Sequence, residues 1–162
     1  MRTSVDVHNF LIERDVHHEL FSARGRFRVP ERIAAVLDLP ADAVGKVVVF
    51  EGPGGPVAAV VPIGSNPDAG RLGKASGQSG LNPAPEERIF ELTDYLPEST
   101  PPAGLPPKFT TVIDRSLARD DVLYFPGGEA RAILKIRGKD LVKATGAKVA
   151  SIVATGPERA EK

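Results

Sequence analysis

The most informative stretch of this chain is the run Ala43-Val44-Gly45-Lys46-Val47-Val48-Val49-Phe50. Its second half, residues 47–50, is a continuous apolar run of the kind found in strands that are buried on both faces. The ammonium group of Lys46 must reach water, an anion or a polar pocket. We therefore expect Lys46 at the mouth of a strand, with its alkyl stem over the core and its ammonium group in a cleft. The alternative interpretation is a lysine that simply extends into solvent at a strand end.

A second apolar run, residues 57–63, follows after Gly52-Pro53-Gly54-Gly55, and this arrangement predicts a β-hairpin. Outward from the hairpin, short strands alternate with short helices without the regular spacing of βαβ units. The pattern predicts an α+β fold, a single domain with a curved, mixed, barrel-like β-sheet flanked by short helices. We expect the domain to span residues 1–156 and a flexible tail to span 157–162. The predicted strands are 17–21, 46–50, 57–63, 109–113, 122–125, 130–136 and 149–153, and the predicted helices lie near 10–12, 30–39, 69–75, 85–92 and 139–144.

The composition excludes several classes of function. The chain of 162 residues carries 21 basic and 21 acidic side chains, so it lacks a whole-molecule basic field for nucleic acid. It has no cysteine, and His8, His17 and His18 lack metal-ligand spacing, so we expect no metal and no cofactor. No apolar stretch approaches the roughly 20 residues that cross a bilayer, and residues 1–9 lack an apolar signal core. We expect a cytoplasmic protein without a membrane partner.

Basic side chains are nevertheless concentrated in one late stretch, where only Glu129 and Asp140 are acidic. Such a stretch is typical of the solvated side of a strand and a helix, and a local nucleic-acid surface is the alternative interpretation. Its basic residues are Arg131, Lys135, Arg137, Lys139, Lys143 and Lys148.

The motifs of common nucleotide-binding and hydrolytic sites are absent from the sequence. There is no G-x-x-x-x-G-K-[ST] phosphate loop, no G-x-G-x-x-G fingerprint and no G-x-S-x-G nucleophile elbow. Aromatic residues are too sparse for a surface that stacks single-stranded bases nonspecifically. Catalysis must therefore use a lysine, main-chain donors, carboxylates or the substrate itself.

The chain resembles the YbaK/prolyl-tRNA-editing family of aminoacyl-tRNA deacylases from about residue 10 to residue 152. Each matching fragment is short, but the fragments occur in the family's order. They are 29–40 (VPERIAAVLDLP), 44–50 (VGKVVVF), 57–62 (VAAVVP), 84–87 (APEE) with 92–95 (LTDY), 112–117 (VIDRSL) and 141–147 (LVKATGA).

The resemblance implies that Lys46 is the family's signature lysine and the catalytic residue. It also implies a pocket for the 3′-terminal aminoacylated adenosine of a mischarged tRNA, and hydrolysis of the ester between amino acid and ribose. Because an ester offers no ketone or aldehyde for a Schiff base, Lys46 is expected to act as an electrostatic anchor. The implied partner is mischarged tRNA, and an aminoacyl-tRNA synthetase is a possible second partner.

The resemblance further implies that a proline-rich loop lines the substrate pocket. The family's G-G-x-S-P-x-G loop corresponds here to residues 98–104, ESTPPAG. Pro102 and Gly104 match, whereas Glu98 and Ser99 replace the glycine pair. We expect Ser99, Pro102 and Gly104 to contact the substrate, and Glu98 to meet its α-ammonium group. The alternative for the whole loop is a rigid surface connection instead of a lid.

Asp114, Gly127 and Gly128 complete the expected substrate-binding residues. Asp114 either lines the pocket or bonds the Ser116 amide in an Asx turn or helix cap. The glycines either form a hairpin turn or offer backbone donors to the ligand. The expected tRNA contacts are Arg131, Lys135, Arg137 and Lys139.

The first functional hypothesis is a freestanding deacylase that removes a small, wrongly attached amino acid, with tRNA(Pro) as the expected tRNA. The second is a non-catalytic module of the same fold that recognises a tRNA end, a nucleotide or a synthetase. The retained Lys46 favours the first, and Glu98-Ser99 favours the second. A third hypothesis is hydrolysis of another small ester in the same pocket.

Overall fold

The computed structural model describes residues 1–23 and 30–154, which form a single mixed α+β domain. The predicted tail at 157–162 lies outside these residues. Short 3₁₀ turns occupy Ala41–Ala43, Pro97–Ser99 and Arg115–Leu117. The helices of the described chain are α1 (Ser4–Glu13), α2 (Glu31–Leu37), α3 (Ala69–Ser76), α4 (Glu86–Thr93) and α5 (Gly138–Thr145). Its strands are β1 (Glu19–Ser22), β2 (Gly45–Glu51), β3 (Val57–Pro62), β4 (Asn82–Pro83), β5 (Thr110–Asp114), β6 (Val122–Pro126), β7 (Ala132–Arg137) and β8 (Lys148–Ala150).

The strands form two sheets instead of the one sheet expected. A three-stranded antiparallel sheet has the order β1-β7-β6, and a five-stranded mixed sheet has the order β4-β2-β3-β5-β8. The β2–β3 pairing confirms the predicted hairpin, whereas β3–β5 and β5–β8 are parallel. A parallel bridge between Val44 and Tyr124 joins the sheets. These pairings do not close a barrel within the described chain, so barrel-like curvature stays a prediction.

The main core lies between the two sheets. Alternate residues of a strand point to opposite faces, and Val47 and Val60 face this core together with Val7 and Leu11 of α1. Val61 points to the other face of the five-stranded sheet, which packs against α3. A third cluster lies where Ile33 of α2 packs against the outer face of the three-stranded sheet. The alternation therefore separates two faces of β2, one toward the core and one toward the helices.

Several element ends differ from the sequence prediction for local reasons. Helix α1 is longer than the predicted 10–12 because Thr3 and Asp6 form a capping box that starts it at Ser4. Strand β1 begins at Glu19, and the preceding His18 instead contacts Val16 O through Nδ1 at 2.9 Å. Strand β8 ends at Ala150, short of the predicted 153, because Ile152 O accepts a hydrogen bond from the Asp68 amide. Within the residues described, no helix is long and apolar enough to cross a membrane.

Candidate functional site

Lys46 is the second residue of β2 and pairs with Val61 of β3. Its side chain therefore lies on the face of the sheet that is turned away from the main core. The Nζ atom is 3.4 Å from Oε2 of Glu31, in the first turn of α2, and the lysine side chain is only 16% exposed. The structure places Lys46 at the start of a strand, as the sequence predicts, with its ammonium group beside a carboxylate, and the predicted cleft around that group stays a prediction.

The end of β6 runs alongside Lys46. The bridge from Val44 to Tyr124 is parallel. A Cβ atom at Gly45 would overlap the Phe125 ring, so Lys46 and Pro126, the residues that follow these two, lie in neighbouring parts of the two segments. The Gly127–Gly128 turn comes directly after Pro126. The fold thus brings this predicted glycine pair to the neighbourhood of the predicted catalytic lysine.

Both glycines of that turn are required by close backbone contacts. A Cβ atom at Gly127 would lie 2.9 Å from the carbonyl oxygen of Ala132, and Gly128 has a φ of +101° and lies against Thr3. The Gly127 amide donates to Ala132 O at 2.9 Å, and the Gly128 amide donates to Ser99 O at 3.0 Å. These contacts support the hairpin-turn interpretation, because both N–H donors are engaged inside the protein. They also bring Ser99 to the same region.

Asp114 caps a turn and holds the last strand, as one of its two interpretations predicts. Its Oδ2 accepts from the Ser116 amide at 3.1 Å and from Ser116 Oγ at 2.5 Å, while Oδ1 accepts from the Ile152 amide at 2.9 Å. The residue is 5% exposed. Because Val60 pairs with Ile113, Asp114 lies two strands from Lys46 on the same face, at a backbone separation of about 10 Å. Direct contact of Asp114 with substrate stays a prediction.

The proline-rich loop divides between two regions of the surface. Ser99 is buried next to Gly128, whereas Glu98 is exposed. Gly104 has a φ of +80°, and its carbonyl oxygen accepts from Tyr95 Oη at 2.8 Å. Pro102 and Gly104 line a cleft of about 860 Å³ whose lining does not include Lys46. The structure therefore brings Ser99 toward the lysine but turns Pro102 and Gly104 toward a second space.

The four expected tRNA contacts do not form one compact patch. Lys135 and Arg137 share the outer face of β7, and Lys139 is exposed in the first turn of α5. Arg131 precedes β7 at its other end, roughly 20 Å away along the strand. Lys135 Nζ lies 3.8 Å from a carboxylate oxygen of Glu19, and Arg137 donates to a backbone carbonyl. Three of the four basic residues are thus close together, and the fourth lies near the Gly127–Gly128 turn.

Glu129 attaches α1 to that turn. Its Oε2 accepts from the Ser4 amide at 2.8 Å and from Ser4 Oγ at 2.5 Å. The Ser4 hydroxyl and amide donors hold the pKa of the Glu129 carboxyl below its usual range. The ionised carboxylate is the form that accepts both hydrogen bonds, so this attachment is complete at neutral pH and is lost as the pH falls through the lowered pKa.

Sequence reasoning missed Glu31 and the residues of α1 that border the cleft. Glu31 was visible as an acidic residue at a helix start, but nothing local indicated that it meets Lys46, fifteen positions later. The α1 signal was the spacing of Phe10 and Arg14, which places both on one helix face. Within the described chain no group of three or more His, Asp or Glu side chains is arranged to hold a metal ion.

Comparison with known proteins agrees with the resemblance seen in the sequence. One solved structure, of a hypothetical protein, is 27% identical with a TM-score of 0.84, and the match covers 92% of this chain and 99% of that one. Another, of a proposed trans-editing enzyme for prolyl-tRNA synthetase, is 24% identical with a TM-score of 0.82, and covers 93% of this chain and 96% of that one. No curated protein matches the chain at a significant level. Residues 27–144 match the family described as the aminoacyl-tRNA editing domain. This chain belongs to the aminoacyl-tRNA editing domain family, as the sequence predicts.

Proposed function

We propose that this protein is a freestanding deacylase that hydrolyses the ester of a small amino acid wrongly attached to tRNA(Pro). The observation that carries the proposal is the position of Lys46, at the start of β2 with Nζ 3.4 Å from Glu31 and only 16% of its side chain exposed. Membership in the editing family supplies the reaction class. The same proposal implies a cytoplasmic protein that meets mischarged tRNA, alone or beside a synthetase.

The reaction needs only modest assistance because the aminoacyl ester is already activated. The Lys46 ammonium group would hold a phosphate or the developing negative charge on the ester carbonyl oxygen. Water, or the neighbouring ribose hydroxyl followed by water, would attack the carbonyl carbon. The ester C–O bond then breaks, and the free amino acid leaves a tRNA with an intact ribose. Glu31, which lies beside Lys46, would be one partner for the substrate's α-ammonium group, and the exposed Glu98 a second.

We expect Lys46→Ala to lower deacylation at least 100-fold, because removing one electrostatic stabiliser of a developing oxyanion typically costs about that much. The measurement is release of amino acid from Ala-, Cys- and Ser-tRNA(Pro) and from a wider panel of mischarged tRNAs. Lys74→Ala is the matched control, since Lys74 is an exposed lysine on α3. Its rate should equal that of the wild type. A wild type that is folded but releases no amino acid from any tRNA of the panel would exclude the proposal.

A second candidate function is a non-catalytic module that binds the tRNA end. The observation in its favour is that Glu98 and a buried Ser99 occupy the place of the family's glycine pair. Glycines permit positive φ and close approach of the backbone to a ligand, and these two residues restrict both. This candidate predicts that the wild type binds a tRNA end but leaves its ester intact.

Charge reversal at the end of β7 should weaken tRNA binding if this region contacts the tRNA. We expect the triple variant Lys135→Glu, Arg137→Glu, Lys139→Glu to bind at least tenfold less tightly and to show a flatter dependence of affinity on salt. Arg131→Glu tests separately whether the far end of β7 contributes. The measurement is a filter-binding titration at several salt concentrations. Unchanged binding by the triple variant would remove these residues from the interface.

A further inference from the structure

The cleft of about 860 Å³ that is lined by Pro102 and Gly104 is separate from Lys46 and has no role in the mechanism above. Its size is in the range of small-molecule and nucleotide pockets. Its lining comes from α1, from the end of α5 and from the proline-rich loop. Three basic side chains line it, Arg2 and Arg14 from the side of α1 and Lys143 from α5.

Arg14 is held in a position suited to stacking. Its guanidinium carbon lies 3.6 Å from the centre of the Phe10 ring, and its Nη1 donates to the Phe10 carbonyl oxygen at 3.1 Å. The side chain is still 44% exposed. A guanidinium group fixed on one face by an aromatic ring can offer its other face to a nucleobase, a common arrangement in recognition of single-stranded RNA.

The cleft lining also carries two acidic residues, Asp6 and Glu13, beside its three basic ones. Asp6 accepts a hydrogen bond from the Thr3 amide at 2.8 Å, as part of the α1 capping box. Glu13 is 74% exposed, and its carboxylate lies 3.9 Å from Arg14. The carboxyl end of α5 adds backbone carbonyl oxygens, which accept hydrogen bonds from amino groups. The cleft therefore combines cations for phosphate, a stacking surface for a base and acceptors for an exocyclic amino group.

The proline-rich loop connects this cleft with the candidate active site. At one end of the loop, the Ser99 carbonyl oxygen accepts a hydrogen bond from the Gly128 amide, which lies just after β6. At the other end, Gly104 packs against Asp6 and Val7 of α1. The loop thus links the Gly127–Gly128 turn to the cleft, and the route inferred for a strand between Lys46 and the cleft follows the loop past the first turn of α1. This route applies only if the terminal nucleotide is the substrate, so the inference rests on the proposed function.

We propose that the cleft between α1, α5 and the proline-rich loop binds a nucleotide of the single-stranded 3′ end of tRNA, upstream of the terminal adenosine. Arg14 stacks on its base, and Arg2 and Lys143 contact its phosphates. The cleft then holds the strand in register while the terminal aminoacyl ester lies at Lys46.

The test measures, by fluorescence anisotropy, the binding of a labelled single-stranded RNA that ends in CCA and carries no amino acid. Arg14→Glu and Lys143→Glu, at two different elements of the lining, should each weaken binding at least tenfold. The matched control is Arg71→Glu, the same charge change at an exposed residue of α3, and it should change affinity less than twofold. Thermal unfolding of every variant confirms that the fold is intact, and two variants on different helices keep the test decisive if one is unstable.

Three results would overturn the inference. The first is equal loss of affinity in the cleft variants and in Arg71→Glu, which indicates general charge alone. The second is equally tight binding of a blunt RNA duplex, and the third is tighter binding of free CMP than of the RNA strand, which indicates a mononucleotide ligand. Because the RNA carries no amino acid, it has no ester to hydrolyse, and binding is measured alone. If the wild type binds the RNA through the cleft but deacylates no tRNA, the proposed function is rejected and this inference stands. If it deacylates tRNA but the cleft variants bind RNA as tightly as the wild type, this inference is rejected and the proposed function stands.

Discussion

Gly138→Ala is expected to destabilise the protein by about 3 kcal/mol, at the upper end for overpacking, because the new methyl group meets rigid backbone. A Cβ atom at Gly138 would lie in severe overlap with the carbonyl oxygen of Leu117 and 2.6 Å from that of Arg119. The Gly138 amide also donates to Asp121 O at 3.1 Å, so the chain cannot move away without losing this hydrogen bond. Urea unfolding of the purified variant measures the loss.

Gly64→Ala is the control for that substitution. Nothing lies within 4 Å of a Cβ atom at Gly64, and its φ is outside the left-handed region. We expect its stability to stay within about 0.5 kcal/mol of the wild type. A Gly138→Ala variant that also stays within about 1 kcal/mol of the wild type would show that the β7–α5 junction has more room than the structure indicates.

Asp114→Ala is expected to lower the free energy of unfolding by about 3 kcal/mol. The substitution leaves the Ile152 amide, which is buried, without its acceptor and removes the cap of the Arg115–Leu117 turn. Asp114→Asn retains one acceptor oxygen and should cost clearly less than the alanine variant. Differential scanning calorimetry of the wild type and both variants, under the same conditions, measures the change in the free energy of unfolding.

The comparison with deacylation separates the two roles considered for Asp114. If the residue is only a cap, Asp114→Asn should deacylate at the wild-type rate at temperatures where it is folded. Ser116→Ala is the structural control, because it removes one donor to the carboxylate and leaves the backbone cap in place. A folded Asp114→Asn variant with much slower deacylation, beside a fully active Ser116→Ala, would contradict the purely structural role.

The sequence predicts the local elements of the fold better than their assembly. The β2–β3 hairpin follows from two apolar runs around a Gly-Pro turn, so its residues carry their own signal. The division into two sheets depends on pairing of β1 with β7, more than a hundred residues apart. No local pattern specifies that pairing. The same limit explains why a single barrel-like sheet was expected.

The candidate site shows the same division. The position of Lys46 is predictable because a lysine beside a buried apolar run has few places for its charge. The contact with Glu31 depends on how α2 packs over the sheets, and the cleft depends on three elements meeting. Pro102 and Gly104 match a family pattern, but only the structure shows that they line a space apart from the lysine.

The prolines between Ser99 and Gly104 make the connection between the two sites a stiff one. Pro101 and Pro102 have fixed φ angles and are buried, so a shift at one end of the loop cannot be absorbed between them. If both proposed sites bind one RNA strand, their occupancies are expected to be thermodynamically linked through this loop. If RNA in the cleft raises the affinity of the lysine site for the terminal adenosine by some factor, the adenosine raises the affinity of the cleft for RNA by the same factor. A shortened RNA that reaches only one of the two sites should bind without this increase in affinity.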